Sequence, residues 1–169
     1  MTKSIKYDII YTPKQERKEI MRIFVFDMDG VTVDLYGVPD WLQFLRAESV
    51  YPYEAAKPLV NMAELREVLL GLKAKGDKIV VTSWLSKGAS REYKRKIKKA
   101  KKAWLDHYEF PYDEIHFQAY GRTKADATRA RYRGYEQILT DDNPKIRQGW
   151  SLGMTIDGSQ EFISILKTF

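Results

Sequence analysis

Mostly apolar runs along the chain end repeatedly at polar side chains. Three of these runs cover residues 23–26, 78–81 and 137–140, and each has the pattern of a strand buried on both faces of a sheet. A shorter run at residues 115–117 predicts a further strand. The chain therefore contains several strands whose ends carry polar side chains.

Helical patterns lie between the strands. Apolar residues recur three and four positions apart from Asn61, which favours a helix start, to Gly76, which favours a helix end. A strongly basic helix is predicted over residues 90–108, and a closing helix over residues 159–169. The alternation of strands and helices indicates an α/β fold with a Rossmann-like parallel sheet flanked by helices.

Residues 35–60 interrupt this alternation. Trp41, Phe44, Tyr51 and Tyr53 occur there with several prolines among short helical patterns. We expect a small insertion after the first strand, in a position to cover a site. Its aromatic side chains either contact a ligand or pack the insertion onto the core, which is the commoner role of such residues.

The length of 169 residues fits one domain over residues 1–169. Trp84 and Trp104 are expected in its core, and the role of residues 1–20 stays open. No apolar run approaches the length of a membrane span, and the N-terminus does not resemble a signal peptide. We therefore expect a cytoplasmic protein without a membrane partner.

Composition narrows the chemistry that the chain can perform. There is no cysteine, which excludes disulfides and thiolate metal sites, and His107 and His116 are too few for a multi-histidine centre. A bound metal must then be held by carboxylate and carbonyl oxygens, which suit Mg²⁺ better than zinc. The net charge of +6 favours anionic partners, phosphate among them.

The residues at the predicted strand ends form one candidate site. They are Asp27 and Asp29 after the first strand, Thr82 and Ser83 after the second, and Asp141 and Asp142 after the last. Because parallel sheets bind ligands beyond the carboxyl ends of their strands, these side chains should converge on one crevice. Four carboxylates gathered there repel one another unless a cation compensates, so the set predicts an Mg²⁺ site.

Residues 24–31, with the sequence Phe-Val-Phe-Asp-Met-Asp-Gly-Val, resemble the first motif of the haloacid dehalogenase (HAD) superfamily. The hallmark of that motif is an apolar strand followed by Asp-x-Asp-Gly, although Val31 stands where the family often has threonine. Residues 80–83 and 138–143 resemble the second and fourth motifs. Within the superfamily, the Thr-Ser strand end, residues 103–105 and the closing Asp-Asp pair resemble the 5'(3')-deoxyribonucleotidases and short related bacteriophage proteins.

This resemblance implies an Mg²⁺-dependent phosphomonoesterase. Asp27 would attack phosphorus and form an aspartyl-phosphate, while Asp29 would act as general acid and then general base. The metal ligands would be Asp27, the backbone carbonyl of Asp29, and either Asp141 or Asp142, with Asp142 preferred. The expected substrate is a small phosphate ester, in particular a nucleotide. The superfamily places its cap between the first and second motifs, where residues 35–60 lie, so their aromatic side chains would either stack on a nucleobase or pack the small cap onto the core.

The same resemblance implies a phosphate-binding set. Thr82 and Ser83 would donate hydrogen bonds to the phosphoryl oxygens, and a lysine would complete the charge balance. Lys101 is the first candidate for that lysine, because residues 101–104 align with the lysine motif of the nucleotidases. Lys124 is the second candidate, and a solvated surface role is open for each lysine.

Other interpretations depend on the basic residues 87–102, where Glu92 is the only acid. These charges have three possible roles. They bind the phosphate backbone of a nucleic acid, they form a solvated helix face, or they attract a small dianion toward the site. The first of these would make the protein an end-processing phosphatase on nucleic acid. A non-enzymatic phosphate- or nucleotide-binding HAD protein is a further alternative. The order of motifs argues against a phospho-acceptor receiver domain, because the Asp-x-Asp-Gly motif comes first here.

Overall fold

The structure, a computed structural model, describes residues 21–169. Residues 1–20, whose role the sequence left open, lie outside the described part. In chain order the elements are β1 (Arg22–Phe26), α1 (Trp41–Arg46), α2 (Tyr51–Ala55), α3 (Met62–Ala74), β2 (Lys78–Trp84), α4 (Arg91–His107), β3 (Glu114–Gln118), α5 (Ala125–Thr128), β4 (Glu136–Asp141), α6 (Pro144–Gln148), β5 (Thr155–Asp157) and α7 (Phe162–Leu166).

The strands form one parallel sheet in the order β3-β2-β1-β4-β5. β1 is therefore central, and its last residue, Phe26, pairs with Val81 of β2 and Thr140 of β4. This register brings the carboxyl ends of the three strands side by side. The predicted fold class, a Rossmann-like parallel sheet flanked by helices, is confirmed.

Alternate residues of β1 pack into two separate cores. Phe24 and Phe26 pack with apolar residues of α3, α4 and α7, whereas Ile23 and Val25 pack on the opposite face with Trp150. A sheet covered on both faces needs strands that are apolar throughout, which explains the uninterrupted run at residues 23–26.

The two long helices begin where the sequence predicted. Asn61 Oδ1 accepts hydrogen bonds from the N–H groups of Ala63 and Glu64 at the start of α3. Ser90 Oγ likewise accepts a hydrogen bond from the N–H of Tyr93 at the start of α4. These caps satisfy N–H groups that have no partner inside the helix, so they fix both helix starts.

The carboxyl-terminal segment differs from the prediction. Only residues 162–166 of the expected helix over 159–169 are helical, and a short strand, β5, precedes them. Asp157 accepts hydrogen bonds from the N–H and the hydroxyl of Ser159, which makes a turn where the helix was expected to begin. The short helices α5 and α6 were also not predicted.

The segment predicted as an insertion contains α1 and α2 and is fastened to α4. Ser90 donates hydrogen bonds from its N–H and its hydroxyl to the Glu48 carboxylate, each at 2.7 Å. The Tyr93 hydroxyl donates to the carbonyl of Ser49 at 2.7 Å. A further bond at 2.8 Å joins the Trp104 indole N–H to the carbonyl of Ala56. Trp104 is buried, as predicted.

The strand pairing of β2 suggests a test of stability. Asp113 accepts a hydrogen bond from the N–H of Ile79 at 2.8 Å and lies 2.8 Å from Lys73 Nζ. Burial raises the pKa of Asp113, but the hydrogen bond and the lysine outweigh it and leave the pKa below its ordinary value. We expect Asp113→Ala to lower the free energy of unfolding by about 1–2 kcal/mol at pH 7.

Because the folded-state pKa is lowered, this stabilisation is present above the ordinary carboxyl pKa and is lost as the pH falls through the folded-state value. Urea unfolding of both proteins at pH 7 and at lower pH measures the difference, which should shrink on acidification. Asp113→Asn is the matched control, since it keeps an acceptor for Ile79 and should cost less. A difference independent of pH would contradict this account.

Candidate active site

The loop after β1 places two aspartates at the centre of the sheet edge. The N–H of Asp27 donates to the carbonyl of Thr140 at 2.9 Å, which continues the pairing of β1 with β4. Asp27 Oδ1 accepts a hydrogen bond from the N–H of Met28. Gly30 then turns the chain with a φ of 84°, and a Cβ there would lie 2.5 Å from Asp142 Oδ2. Glycine is required here by both its backbone angle and the close approach of Asp142.

Three carboxylates meet at this edge. Asp27, Asp141 and Asp142 each offer an oxygen that lies within 4.8 Å of the other two. Burial and the charges of Asp27 and Asp141 raise the pKa of Asp142 to about 6. Three ionised carboxylates at this spacing are unfavourable without a nearby cation, and hard oxygen donors of this kind fit Mg²⁺. The arrangement therefore meets the chemical requirements of a magnesium site.

Lys124 supplies one positive charge to this cluster. Its buried Nζ lies 2.6 Å from Asp27 Oδ2 and 2.6 Å from Asp141 Oδ2. Burial lowers the pKa of Lys124, but attraction to Asp27 and Asp141 outweighs it, so the net pKa is raised. This lysine, the second candidate from the sequence, directly precedes α5 and contacts the expected nucleophile.

Lys101, the first candidate, has other partners. Its Nζ donates to the Asp29 carboxylate, to Ser83 Oγ at 2.7 Å and to the carbonyl of Trp84 at 3.1 Å. Asp29 thus pairs with a different lysine from Asp27. Burial raises the pKa of Asp29, attraction to Lys101 lowers it, and the net pKa is raised.

The two hydroxyl residues at the end of β2 are both fully buried. Thr82 Oγ1 has no hydrogen-bond partner among the described residues, whereas Ser83 Oγ accepts from Lys101. A buried hydroxyl without a partner is uncommon and unfavourable. Thr82 is therefore the hydroxyl available to an additional ligand, and Ser83 is already engaged.

A cavity of about 440 Å³ opens beside Asp29. Two aromatic pairs line it: Tyr36 and Trp41 with ring centroids 5.1 Å apart, and Trp84 and Tyr120 at 5.0 Å. The expectation that Trp84 lies in the core is wrong. Its ring is partly exposed to the cavity, and its indole N–H donates to the carbonyl of Arg122. Tyr36 and Tyr120 were not identified from the sequence, because they lie in loops without a recognisable motif.

The basic residues of α4 mostly face solvent. Arg91, Arg95, Lys98 and Lys99 are exposed. Lys96 and Lys102 pair with Glu92 and Asp106 on the same helix. No residue of α4 lines the cavity beside Asp29. Within residues 21–169, no helix combines the length and the hydrophobicity that a membrane crossing requires.

No protein-family model matches the chain, and no curated protein matches it. Among solved structures, it is similar to the crystal structure of D,D-heptose 1,7-bisphosphate phosphatase from Burkholderia thailandensis. The TM-score is 0.49 and the sequence identity is 16%, over 79% of this chain and 74% of that chain. Similarity at this level assigns neither an activity nor a substrate to the chain.

The charge balance of the site suggests a second test. We expect Lys124→Met to lower the free energy of unfolding by about 3–5 kcal/mol at pH 7 in the absence of divalent ions, because it leaves the buried Asp141 carboxylate and the partly buried Asp27 carboxylate without their cation. Added Mg²⁺ should restore part of this loss by binding the folded state.

Chemical denaturation with and without Mg²⁺ measures both effects. The control is Lys145→Met, which removes an exposed lysine and should leave the stability near that of the wild type. A Lys124→Met protein as stable as the wild type in EDTA would contradict the assignment of Lys124 as the compensating charge.

Proposed function

We propose that the chain is an Mg²⁺-dependent phosphomonoesterase of the HAD type with Asp27 as its nucleophile. The observation that carries this proposal is the pairing of Asp27 and Asp141 with the buried Lys124, beside the third carboxylate of Asp142. A carboxylate attacks phosphorus best when nearby cations reduce the repulsion between the two anions.

The reaction would proceed in two displacements. Asp27 attacks the phosphorus, the ester P–O bond breaks, and Asp29 transfers a proton to the oxygen of the leaving alkoxide. Water then attacks the phosphorus of the aspartyl-phosphate and gives a proton to Asp29. The bond between Asp27 and phosphorus breaks, so phosphate is released and Asp27 is restored. The raised pKa of Asp29 supports this role, since a general acid must hold a proton before it donates one.

Mg²⁺ would be held by the carboxylates of Asp27 and Asp142 and by the backbone carbonyl of Asp29. Asp141 is less suited to direct ligation, because its side chain is fully buried, whereas Asp27 and Asp142 are partly exposed. When bound, the ion would neutralise charge on the phosphoryl oxygens and hold the group in line for attack.

The phosphoryl group would be bound by Lys124 and Thr82. Lys124 is preferred over Lys101 because it contacts Asp27, the residue that must approach phosphorus. The buried Thr82 hydroxyl, which has no hydrogen-bond partner within residues 21–169, supports a donor role toward a phosphoryl oxygen.

A nucleoside monophosphate is the substrate that best suits the cavity. Four of the aromatic rings that line the cavity, those of Tyr36, Trp41, Trp84 and Tyr120, would offer contacts to a planar base. The volume of about 440 Å³ is within the range of small-molecule sites. The nucleic-acid alternative has less support, because Lys87 is the only one of the basic residues 87–102 that lines the cavity.

Phosphate release from a panel of substrates tests the activity. We expect Mg²⁺-dependent release from nucleoside monophosphates, loss of activity in EDTA, and a loss of at least about 10³-fold in Asp27→Asn. Unchanged turnover in that variant would exclude the mechanism. Release only from 3'- or 5'-phosphorylated oligonucleotides would favour end-processing, and no release from any substrate would favour a binding protein.

The aromatic cavity predicts how the substrate is selected. Trp41→Ala should raise KM for nucleoside monophosphates about tenfold, because it removes one stacking face for the base. Hydrolysis of glycerol phosphate, which carries no base, should change little. Tyr51→Ala is the control, since Tyr51 is an exposed aromatic of the same insertion that does not line the cavity. Equal losses with both substrates would rule out stacking by Trp41.

A further inference from the structure

We propose that Lys101 is a positioning residue, which fixes the Asp29 carboxylate so that one of its oxygens is anchored and the other is left for proton transfer. This inference rests on the proposed function, in which Asp29 protonates the leaving group. It gives Lys101 a different role from the phosphate-binding lysine that the sequence suggested.

The burial of Lys101 is the first observation. It is the one buried basic residue of α4, a helix described in full, and its side chain has no exposed surface. Its neighbours Lys98, Lys99 and Lys102 are all exposed. Burying an ammonium group is costly unless every donor is paired, so a lysine in this position must have strong fixed partners.

The donors of Lys101 are fully used. A lysine ammonium has three N–H groups. In Lys101 they match three acceptors: the Asp29 carboxylate, Ser83 Oγ at 2.7 Å and the carbonyl of Trp84 at 3.1 Å. No donor remains for a phosphoryl oxygen, which means that Lys101 acts through Asp29 and not on the substrate.

The insertion completes the pocket around this ammonium. The ring of Tyr53 lies with its centroid 4.8 Å from Lys101 Nζ, a cation–π distance. The Tyr53 hydroxyl is held in turn by Ser86 Oγ at 3.2 Å. Lys101 is therefore enclosed by β2 on one side and by α2 on the other, so it has little freedom to move.

The two oxygens of Asp29 have different environments as a result. Oδ2 is bound by Lys101, whereas Oδ1 is buried and has no hydrogen-bond partner among the described residues. Asp29 also lines the cavity in which the leaving group would lie. Because Lys101 holds Oδ2 in place, the orientation of Oδ1 is fixed as well. Such support around a reacting group commonly determines how efficiently the group reacts.

Leaving-group dependence tests this role. An alkoxide needs a proton from Asp29 to leave, whereas p-nitrophenolate leaves readily without one. We expect Lys101→Met to reduce kcat/KM for a nucleoside monophosphate about 100-fold, as for loss of a general acid. The loss for p-nitrophenyl phosphate should be less than about tenfold. Lys99→Met, on the exposed face of the same helix, is the control and should match the wild type with both substrates.

A double-mutant cycle with Asp29→Asn separates positioning from a merely structural role. If Lys101 acts through Asp29, adding Lys101→Met to Asp29→Asn should cause no further loss of kcat/KM. The double variant also buries no unpaired charge, so it should fold even if Lys101→Met alone does not.

Two results would overturn the proposal. Equal losses for both substrates, or losses that add in the double variant, would remove the positioning role and leave the proposed activity intact. Absence of turnover in the wild type would remove the proposed activity and the role of Lys101 together.

Discussion

Repulsion between carboxylates at the sheet edge is the constraint on which the site depends. The central position of β1 brings Asp27 and Asp29 next to the end of β4, where Asp141 and Asp142 lie. Two buried lysines offset this charge, and they come from opposite faces of the sheet: α4 packs in the core that contains Phe24, and α5 in the core that contains Ile23. Both helices must pack on the sheet before the lysines can compensate the charge of the carboxylates. The folding of the sheet and the assembly of the site therefore depend on each other.

The two lysines also have different carboxylate partners. Lys124 shares a carboxylate cluster with the expected nucleophile, while Lys101 is confined to the neighbourhood of Asp29. Each aspartate of the Asp-x-Asp motif therefore has its own cation. Two chemically identical side chains placed two positions apart therefore lie in different electrostatic surroundings.

The sequence predicted most of the fold and the acidic part of the site, because those features depend on strong local signals. Apolar runs identify strands that are buried on both faces, and Asn61 and Ser90 mark the starts of the long helices. Elements of three to five residues, such as β5 and α5, were missed because they are too short to show a period. The roles of Lys101 and Lys124 could not be separated, because linear spacing does not tell which face of the sheet a lysine approaches. The sequence did contain one indication that Lys101 is buried. It lies four positions from both Ile97 and Leu105, on the apolar stripe of α4.

The hydrogen bonds between the insertion and α4 have a consequence for the exchange of substrate and product. Attachment through Ser90, Tyr93 and Trp104 spans most of the length of α4, the helix that also holds Lys101. A segment fastened over this length cannot swing away as a hinged lid without breaking buried contacts. This attachment argues against the slower domain closure that limits turnover in many capped enzymes.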